Sequence, residues 1–362
     1  MTTSQAPIPE VTTPPAKVKT PKPKGGGGAM NRERWYDRLG LHVIMLILVA
    51  WSIIPFTWAF QNSIKFVRDI IGDSPKLWGY EPTAIAYNGF WFDDDDINMW
   101  MPLLFILAFA TVAVILGQMG KRAQQGAPWY LATVAVLAVG VWVFPRMFET
   151  SRSYDFFVNS LIVTLLTVVI SITIGCFAGY GLARYTGISG AVILIVALGF
   201  RALPRSAFVL PYFFAANRMG ILDSRLVLVL ALVAVNQPFT IWMLRSFFMD
   251  VPKSLEEAAI IDGASRFGAF RRVIVPIMWP GIIATALFTL LLAYNEFLFV
   301  RVLAVTNFTL PVGIEAALAA EGPQLFNEIP AASVSITLPI IIVIILFQKH
   351  LVKGLGAGAV KG

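Results

Sequence analysis

The sequence predicts an all-α protein that crosses a membrane several times. Its mean hydropathy is +0.73. Hydrophobic residues make up 57% of the chain and charged residues 14%, whereas soluble domains carry about 25% charged residues. The apolar residues also form runs close to the roughly 20 residues that an α-helix needs to cross the hydrocarbon core of a bilayer. These observations exclude a soluble domain and predict a polytopic membrane protein.

Eight apolar runs predict about eight transmembrane helices. They lie at 41–60, 97–118, 128–145, 158–183, 188–213, 226–246, 278–300 and 333–350. The third run is short because Pro128 and Pro145 bracket it, so a re-entrant segment is an alternative there. Trp129 and Trp142 lie near its ends, where interfacial anchors of a full span would lie.

The N-terminal half divides into three segments. Residues 1–38 are rich in proline, threonine and lysine, which predicts a disordered basic tail. The first transmembrane helix follows at 39–60, and it begins too late in the chain to be a cleavable signal. Residues 61–152 then contain two further spans and the acidic run Asp93–Asp96.

The distribution of basic residues predicts the orientation. Counting Lys and Arg on alternate sides of the eight spans gives 18 on the side of the N-terminus and 8 on the other. Because positive loops stay inside the cell, we expect both termini to be cytoplasmic. The net charge of +7 then reflects topology and contact with anionic membrane lipid, and no nucleic-acid partner is predicted.

The chain has few residues suited to catalysis or metal binding. Its two histidines and single cysteine exclude zinc sites and disulfide scaffolds. No catalytic residue, metal site or cofactor is predicted. The sequence also contains no G-x-x-x-x-G-K-[ST] motif, so no nucleotide site is predicted in this chain.

The loop at 253–276 is longer than its neighbours and predicts two short helices. Ser254 and Glu257 have the spacing of a capping box, which predicts a helix start. Gly263 should end that helix in a left-handed turn, and a second helix should run to Pro276. Small alanines after Glu257 would let another protein approach closely. Alternatively, Glu257 only closes the capping box and the alanines pack within the chain.

Three segments of this loop have a specific spacing. They are Glu257-Ala258-Ala259, Asp262-Gly263-Ala264 and, nine residues further on, Val273-Ile274-Val275-Pro276. Together they strongly resemble the EAA loop of binding-protein-dependent ABC importer permeases, with valine in place of the usual isoleucine and leucine.

Other segments resemble the carbohydrate-type permeases of that family, which are related to the maltose system. These segments are Asn159–Val163, Arg201–Pro204, Gly220–Asp223, Ala293–Phe297 and Gly354–Gly362. The resemblance covers about 153–362 and the first span, but not 61–152. It implies a six-helix type I ABC importer permease core with two extra spans, located in a bacterial cytoplasmic (inner) membrane.

The resemblance also implies a division of labour. A second permease subunit would complete the solute pathway, an ATP-binding cassette ATPase dimer would bind ATP and magnesium, and an external solute-binding protein would deliver the solute. The solute would be a carbohydrate such as an α-glucoside. The implied ATPase-coupling residues are Glu257, Ala258, Ala259, Asp262 and Gly263, together with Gly354 and Lys361 of the tail at 351–362. Simple fraying is the alternative for that tail.

Charged and polar residues inside the spans are candidates for the solute pathway, because such residues usually face a bundle interior or an aqueous cavity. The candidates are Arg201, Asn236, Gln237, Tyr294, Asn295 and Glu296. The alternative is that Arg201, Arg205 and Glu296 hold helices together, with Arg201 and Glu296 as the expected pair.

Two other functions fit a polytopic membrane protein. A self-contained secondary transporter of a small polar solute would commonly show an internal repeat and coupling charges, but the sequence shows no repeat and only three clear intramembrane charges. An enzyme acting on a lipid-linked substrate could use Asp93–Asp96 to hold a metal. It would need further polar motifs on the same side, and none is recognisable.

Overall fold

The computed structural model describes residues 35–93, 97–123, 126–317 and 325–359. Within these ranges the secondary structure is helical, apart from an isolated bridge between Phe92 and Thr150. The long helices are α1 (Trp35–Ser63), α4 (Trp100–Arg122), α5 (Gly126–Met147), α6 (Arg152–Arg184), α7 (Ile188–Ala202), α8 (Arg205–Arg218), α9 (Arg225–Asp250), α12 (Val275–Tyr294) and α15 (Leu325–Ala359). The short helices are α2 (Val67–Ile71), α3 (Ile85–Trp91), α10 (Lys253–Ile261), α11 (Arg266–Ala269), α13 (Leu298–Leu303) and α14 (Leu310–Ala317), and a π-helical segment covers Phe270–Ile274.

The structure confirms the all-α, membrane-spanning fold class. In the described part of the chain, seven helices are long and apolar enough to cross a membrane, and the pair α7 and α8 makes eight if it counts as one span. The third apolar run forms the continuous helix α5, whose segment Pro128–Met147 qualifies as a span. This continuous helix agrees with a full span at the third run and not with a re-entrant segment.

The ends of the predicted segments differ from the sequence boundaries. Residues 1–34 lie outside the described residues, and α1 begins at Trp35, four positions before the predicted start at 39. The chain divides into two compact units, Met1–Ile54 and Pro55–Gly362. In the first unit, the described side chains of Leu39–Ile54 are exposed and largely apolar, which suits contact with lipid.

The two spans of the 61–152 region form a helical hairpin that packs through aromatic rings. A Cβ on Gly140 would lie 2.8 Å from the Phe109 ring, so α4 and α5 approach closely there. At the start of α6, Tyr154 stacks on Phe144 of α5 with ring centroids 5.2 Å apart. The hairpin is therefore anchored to the first turn of α6.

The centre of the second unit is the packing of α6 against α9. A Cβ on Gly179 would lie 3.0 Å from the backbone nitrogen of Arg245, and one on Gly175 would meet Leu244 and Thr240 at 2.9 Å. Small residues allow this close approach, which membrane helices use in place of a hydrophobic driving force. Thr240 also hydrogen-bonds Thr289 of α12 at 3.1 Å, in the buried interior. Helices α6, α9 and α12 therefore pack as one body.

The run predicted as a span at 188–213 is two helices with a sharp break between them. The helices α7 and α8 meet at an angle of 97°. Leu203, the residue before Pro204, has an extended backbone with ψ of 154°, the geometry that a following proline favours over the helical one. The break therefore falls between Ala202 and Arg205.

The helix starts and ends in the 253–276 loop also differ from the prediction. Pro252 is the N-cap of α10 and Lys253 its first residue, so Ser254 and Glu257 do not form a capping box. A proline at this position has no amide to leave unpaired. The second helix does not stop before Pro276, because the π-helical segment carries it directly into α12. The loop is thus continuous with the next span.

Candidate functional site

Helix α10 ends in the turn that the sequence predicts. Gly263 has φ of +88°, a left-handed conformation that glycine adopts without steric cost. Its amide donates to the carbonyl of Ile260 at 3.0 Å, and the amide of Ala264 donates to the carbonyl of Ala259 at 3.0 Å. Ser265 then caps α11 by accepting from the amide of Gly268 at 3.1 Å. These bonds fix the angle between α10 and α11.

One carboxylate attaches α10 to the long helix α6. Glu256 Oε2 accepts a hydrogen bond from Arg184 Nε at 3.0 Å, and Glu256 Oε1 accepts from the Tyr180 hydroxyl. Arg184 Nη1 also donates to the carbonyls of Phe248 and Val251 at 3.3 and 3.2 Å, at the end of α9. The side chains of Arg184 and Glu256 are only 15% and 14% exposed. We call Tyr180, Arg184 and Glu256 the latch.

An aromatic cluster lies beneath the latch. The ring of Tyr180 lies 4.7 Å from that of Phe270 and 5.7 Å from that of Phe248, measured between centroids. Phe270 is buried in the π-helical segment that leads into α12. The latch and this cluster therefore connect α10 with the ends of α6 and α9 and with the start of α12.

The predicted coupling residues of α10 divide into exposed and buried positions. Glu257, Ala258, Asp262 and Gly263 are exposed, whereas Ala259 is buried against the chain itself. Next to them, the side chain of Ile261 is 85% exposed. In the described part of the chain, Glu257 makes no ion pair. This surface combines small, apolar and acidic groups, a combination suited to contact with another protein.

Of the two tail residues predicted to contact the ATPase, the structure describes the backbone of Gly354 alone. Helix α15 continues to Ala359, so the segment at 351–362 is helical over its described part and Gly354 lies within a helix. Lys361 lies outside the described residues.

The expected pairing of Arg201 with Glu296 is wrong. Glu296, which is 3% exposed, pairs with Arg205 through Oε2 and accepts from the Phe299 amide through Oε1 at 3.4 Å. In a continuous helix, residues four apart would share one face. The break at Pro204 separates them, so only Arg205 reaches the carboxylate.

Arg201 has a different environment. Its guanidinium carbon lies 4.8 Å from the centroid of the Phe239 ring. Its Nη1 is buried and has no hydrogen-bond partner in the described part of the chain. Arg201 and Arg205 both line a cavity of about 170 Å³ at the break between α7 and α8.

The other candidate pathway residues do not line that cavity. The Tyr294 hydroxyl donates to the carbonyl of Ile336 on α15 at 3.1 Å, and Asn295 Nδ2 donates to the carbonyl of Leu291 at 2.9 Å. Gln237 Nε2 donates to the carbonyl of Ser171 on α6 at 3.3 Å, and Asn236 is buried. Tyr294 and Gln237 thus join helices, whereas Asn295 bonds within its own helix.

At the opposite end of α9, Asp223 organises a second junction. It has φ of +56°, and its Oδ1 accepts from the amides of Val305, Thr306 and Asn307 at 2.8, 2.9 and 3.0 Å. Its Oδ2 accepts from the Thr306 hydroxyl at 2.6 Å. Partial burial alone would raise the pKa of Asp223, but these hydrogen bonds hold it well below its ordinary value.

The alternative of a metal site at Asp93–Asp96 falls largely outside the described residues. Asp94–Asp96 lie outside the described residues, and among the described residues no group of three or more His, Cys, Asp or Glu side chains is arranged to hold a metal ion.

Comparison with known proteins identifies the family. The profile of the binding-protein-dependent transport system inner membrane component matches residues 171–356, about half of the chain and the part that contains α9, α10 and α12. The chain belongs to this family of permeases. The match confirms the resemblance read from the loop at 253–276.

Individual relatives agree with the carbohydrate-type resemblance. The permease is 35% identical over 206 residues to the trehalose/maltose transport system permease protein MalG of Thermococcus litoralis. The alignment covers 56% of this chain and 74% of MalG. It is 32% identical over 278 residues to the diacetylchitobiose uptake system permease protein DasC of Streptomyces coelicolor. That alignment covers 67% of this chain and 100% of DasC. The resemblance to maltose-type ABC importer permeases is therefore confirmed.

A solved structure supports the fold. A chain from a bacterial ABC transporter that imports the acidic polysaccharide alginate superimposes with a TM-score of 0.61 and 18% sequence identity, covering 88% of this permease and 97% of that chain. At this level of identity the match concerns the fold alone. It agrees with the all-α membrane architecture.

Sequence reasoning missed two of the residues that hold the permease's site together. Glu256 and Asp223 were not among the candidates, whereas Arg205 was named with Glu296 as a residue that holds helices together. The sequence does place Tyr180 and Arg184 four residues apart, on one face of a helix. That spacing is the only local signal for the latch, because its carboxylate lies 72 positions away from Arg184.

Proposed function

We propose that this chain is the transmembrane permease subunit of an ATP-driven, binding-protein-dependent importer that moves a carbohydrate into the cytoplasm. The observation that carries the proposal is the exposed surface of α10, Glu257 to Gly263, on a helix attached rigidly to two spans. The proposed partners are a second permease subunit, an ATPase dimer that binds ATP and magnesium, and an external solute-binding protein.

The basic side chains support the orientation that this function needs. The α10 loop is on the side with 18 Lys and Arg residues, against 8 on the other. We therefore place α10 and both termini in the cytoplasm of a bacterial cell. The ATPase dimer would then reach the exposed surface of α10, while Asp223 and its junction would face the external binding protein.

The contacts of α10 provide a route for mechanical coupling. A displacement of α10 by the ATPase would act on α6 through Glu256 and on α9 through the two carbonyls that Arg184 binds. Close packing at Gly175 and Gly179 makes α6 and α9 move together. The permease itself supplies no hydrolytic chemistry in this scheme.

The solute is proposed by similarity. Two relatives are named for the transport of trehalose and maltose and of diacetylchitobiose, which are disaccharides. We propose a sugar or oligosaccharide, and an α-glucoside is the finer proposal.

Replacing Gly263 with leucine should uncouple ATP hydrolysis from the binding protein, because the signal that reaches the ATPase passes through α10. Gly263 has φ of +88°, where a residue with a Cβ costs about 1–2 kcal/mol. The turn should open and change the angle of the docking surface. In the complex reconstituted in proteoliposomes, we expect stimulation of ATPase activity by the binding protein to fall about tenfold or more.

Gly263→Asn is the matched control, because asparagine tolerates the left-handed region. It should retain most of the stimulation. Full stimulation in Gly263→Leu, with the complex assembled, would contradict the proposed coupling role.

A further inference from the structure

The cavity at the break between α7 and α8 combines positive charge with aromatic walls. Arg201 and Arg205 line it, together with Phe208, Tyr212 and Phe299. Its volume is about 170 Å³, enough for a small charged group and part of a ring. Apolar walls around a few polar groups are the usual lining of a small-molecule site.

The charges around this cavity do not balance within the described part of the chain. Arg205 is paired with Glu296. Arg201 has an aromatic neighbour, Phe239 at 4.8 Å, but forms no ion pair, and its buried Nη1 lacks a hydrogen-bond partner there. The two guanidinium groups at the cavity therefore have one carboxylate between them, and Arg201 Nη1 is available to donate a hydrogen bond to a ligand.

The location of the cavity limits what can fill it. Its rim residues Phe200 and Leu203 are 57% and 48% exposed, so this chain does not cover the opening. A charged opening within membrane-spanning helices is costly against lipid and normally faces a water-filled pathway or another subunit. The cavity therefore opens either on the solute route or on the second permease.

We propose that the cavity receives an anionic group of the transported solute, a carboxylate, sulfonate or phosphate carried on a sugar. Arg201 binds this group through its free Nη1, while Arg205 remains paired with Glu296. Guanidinium groups match planar and tetrahedral oxyanions geometrically. The inference rests on the proposed function and specifies its substrate class as sugars that carry an acidic group, in place of a neutral α-glucoside.

The test measures the melting temperature of the importer complex in lipid nanodiscs, purified from native membranes through this chain. Potassium glucuronate is the probe, and glucose with potassium chloride at equal ionic strength is the reference. We expect glucuronate to raise the melting temperature saturably, as any ligand of the native state does. Glucose should have no effect.

Two variants and a control assign the effect to the cavity. Arg201→Gln removes the charge, and loss of a charge-assisted hydrogen bond should raise the half-saturating glucuronate concentration about tenfold or more. Ala234→Phe keeps both arginines but fills the cavity, which Ala234 lines, and should abolish the response. Arg218→Gln, in the last turn of α8 and outside the cavity, should retain the native response.

Three outcomes would overturn the inference. They are no response to glucuronate in the native complex, an unchanged response in Arg201→Gln and Ala234→Phe, and dissociation of the second permease from Arg201→Gln, which would assign Arg201 to a carboxylate of that subunit. ATPase activity is scored in the same preparation. Its presence without a glucuronate response defeats only this inference, whereas its absence defeats the proposed function as well.

Discussion

Replacing Glu256 with alanine is expected to destabilise the cytoplasmic end of the chain and to abolish coupling. The change would leave the Arg184 guanidinium and the Tyr180 hydroxyl without their shared carboxylate, and these groups are largely buried. Breaking a partly buried pair of this kind costs about 2–4 kcal/mol. Helix α10 would then be held only by the backbone that links it to α9 and by its apolar contacts.

The measurement combines thermal unfolding of the purified chain with ATPase activity of the reconstituted complex. We expect a lower melting temperature and at least a tenfold loss of stimulation by the binding protein. Glu257→Ala is the matched control, because Glu257 is exposed. It should leave the melting temperature of the chain unchanged and weaken only the association with the ATPase. Equal melting temperatures for Glu256→Ala and the native chain would refute the latch.

Replacing Asp223 with alanine should release the loop between α13 and α14. The change removes the acceptor of three backbone amides and one hydroxyl and places alanine at φ of +56°. Hydrogen bonds to a charged group contribute about 1.5–3 kcal/mol each, but not additively. A local loss of about 3 kcal/mol or more is expected, together with the left-handed strain.

Hydrogen exchange of the amides of residues 305–307 tests this prediction directly. Their protection should fall by about two orders of magnitude in Asp223→Ala, since about 1.4 kcal/mol corresponds to a factor of ten. Asp223→Asn tolerates the backbone angle and keeps one acceptor oxygen, so it should lose less. Unchanged protection in the alanine variant would show that the loop is held by other contacts.

The same junction has a defined pH dependence. The pKa of Asp223 lies below its ordinary value in the folded protein, so its contribution to stability is present above the unfolded pKa, about 3.9. That contribution is lost only as the pH falls through the lower, native pKa. The protection of these amides should therefore stay constant from neutral pH down to about pH 5.

The spans were predictable because hydropathy depends on the local sequence. The predicted runs and the observed helices agree within a few residues at most ends, and Gly263 has the left-handed turn that its position indicated. A glycine after the last helical residue is a local signal, as is a run of apolar residues.

The wrong expectations concern geometry that local sequence does not determine. The sequence shows Pro204, but the angle of 97° between α7 and α8 depends on how these helices pack against the rest of the chain. That bend decides which arginine reaches Glu296. The contact of Glu256 with Arg184 joins residues 72 positions apart, which no local pattern indicates. Glu256 and Glu257 are adjacent and of the same residue type, so the sequence alone does not tell which carboxylate binds within the chain and which is exposed.

The most direct test of the importer function is purification of the detergent-solubilised chain from its native membrane, followed by mass spectrometry and an ATPase assay of the eluate. We predict recovery of a second permease and a Walker-motif ATPase, with hydrolysis stimulated by an external binding protein. That binding protein would also identify the solute. Recovery of the chain alone, without ATPase activity and with complex stability controlled, would contradict the proposal and leave the exposed surface of α10 without a partner.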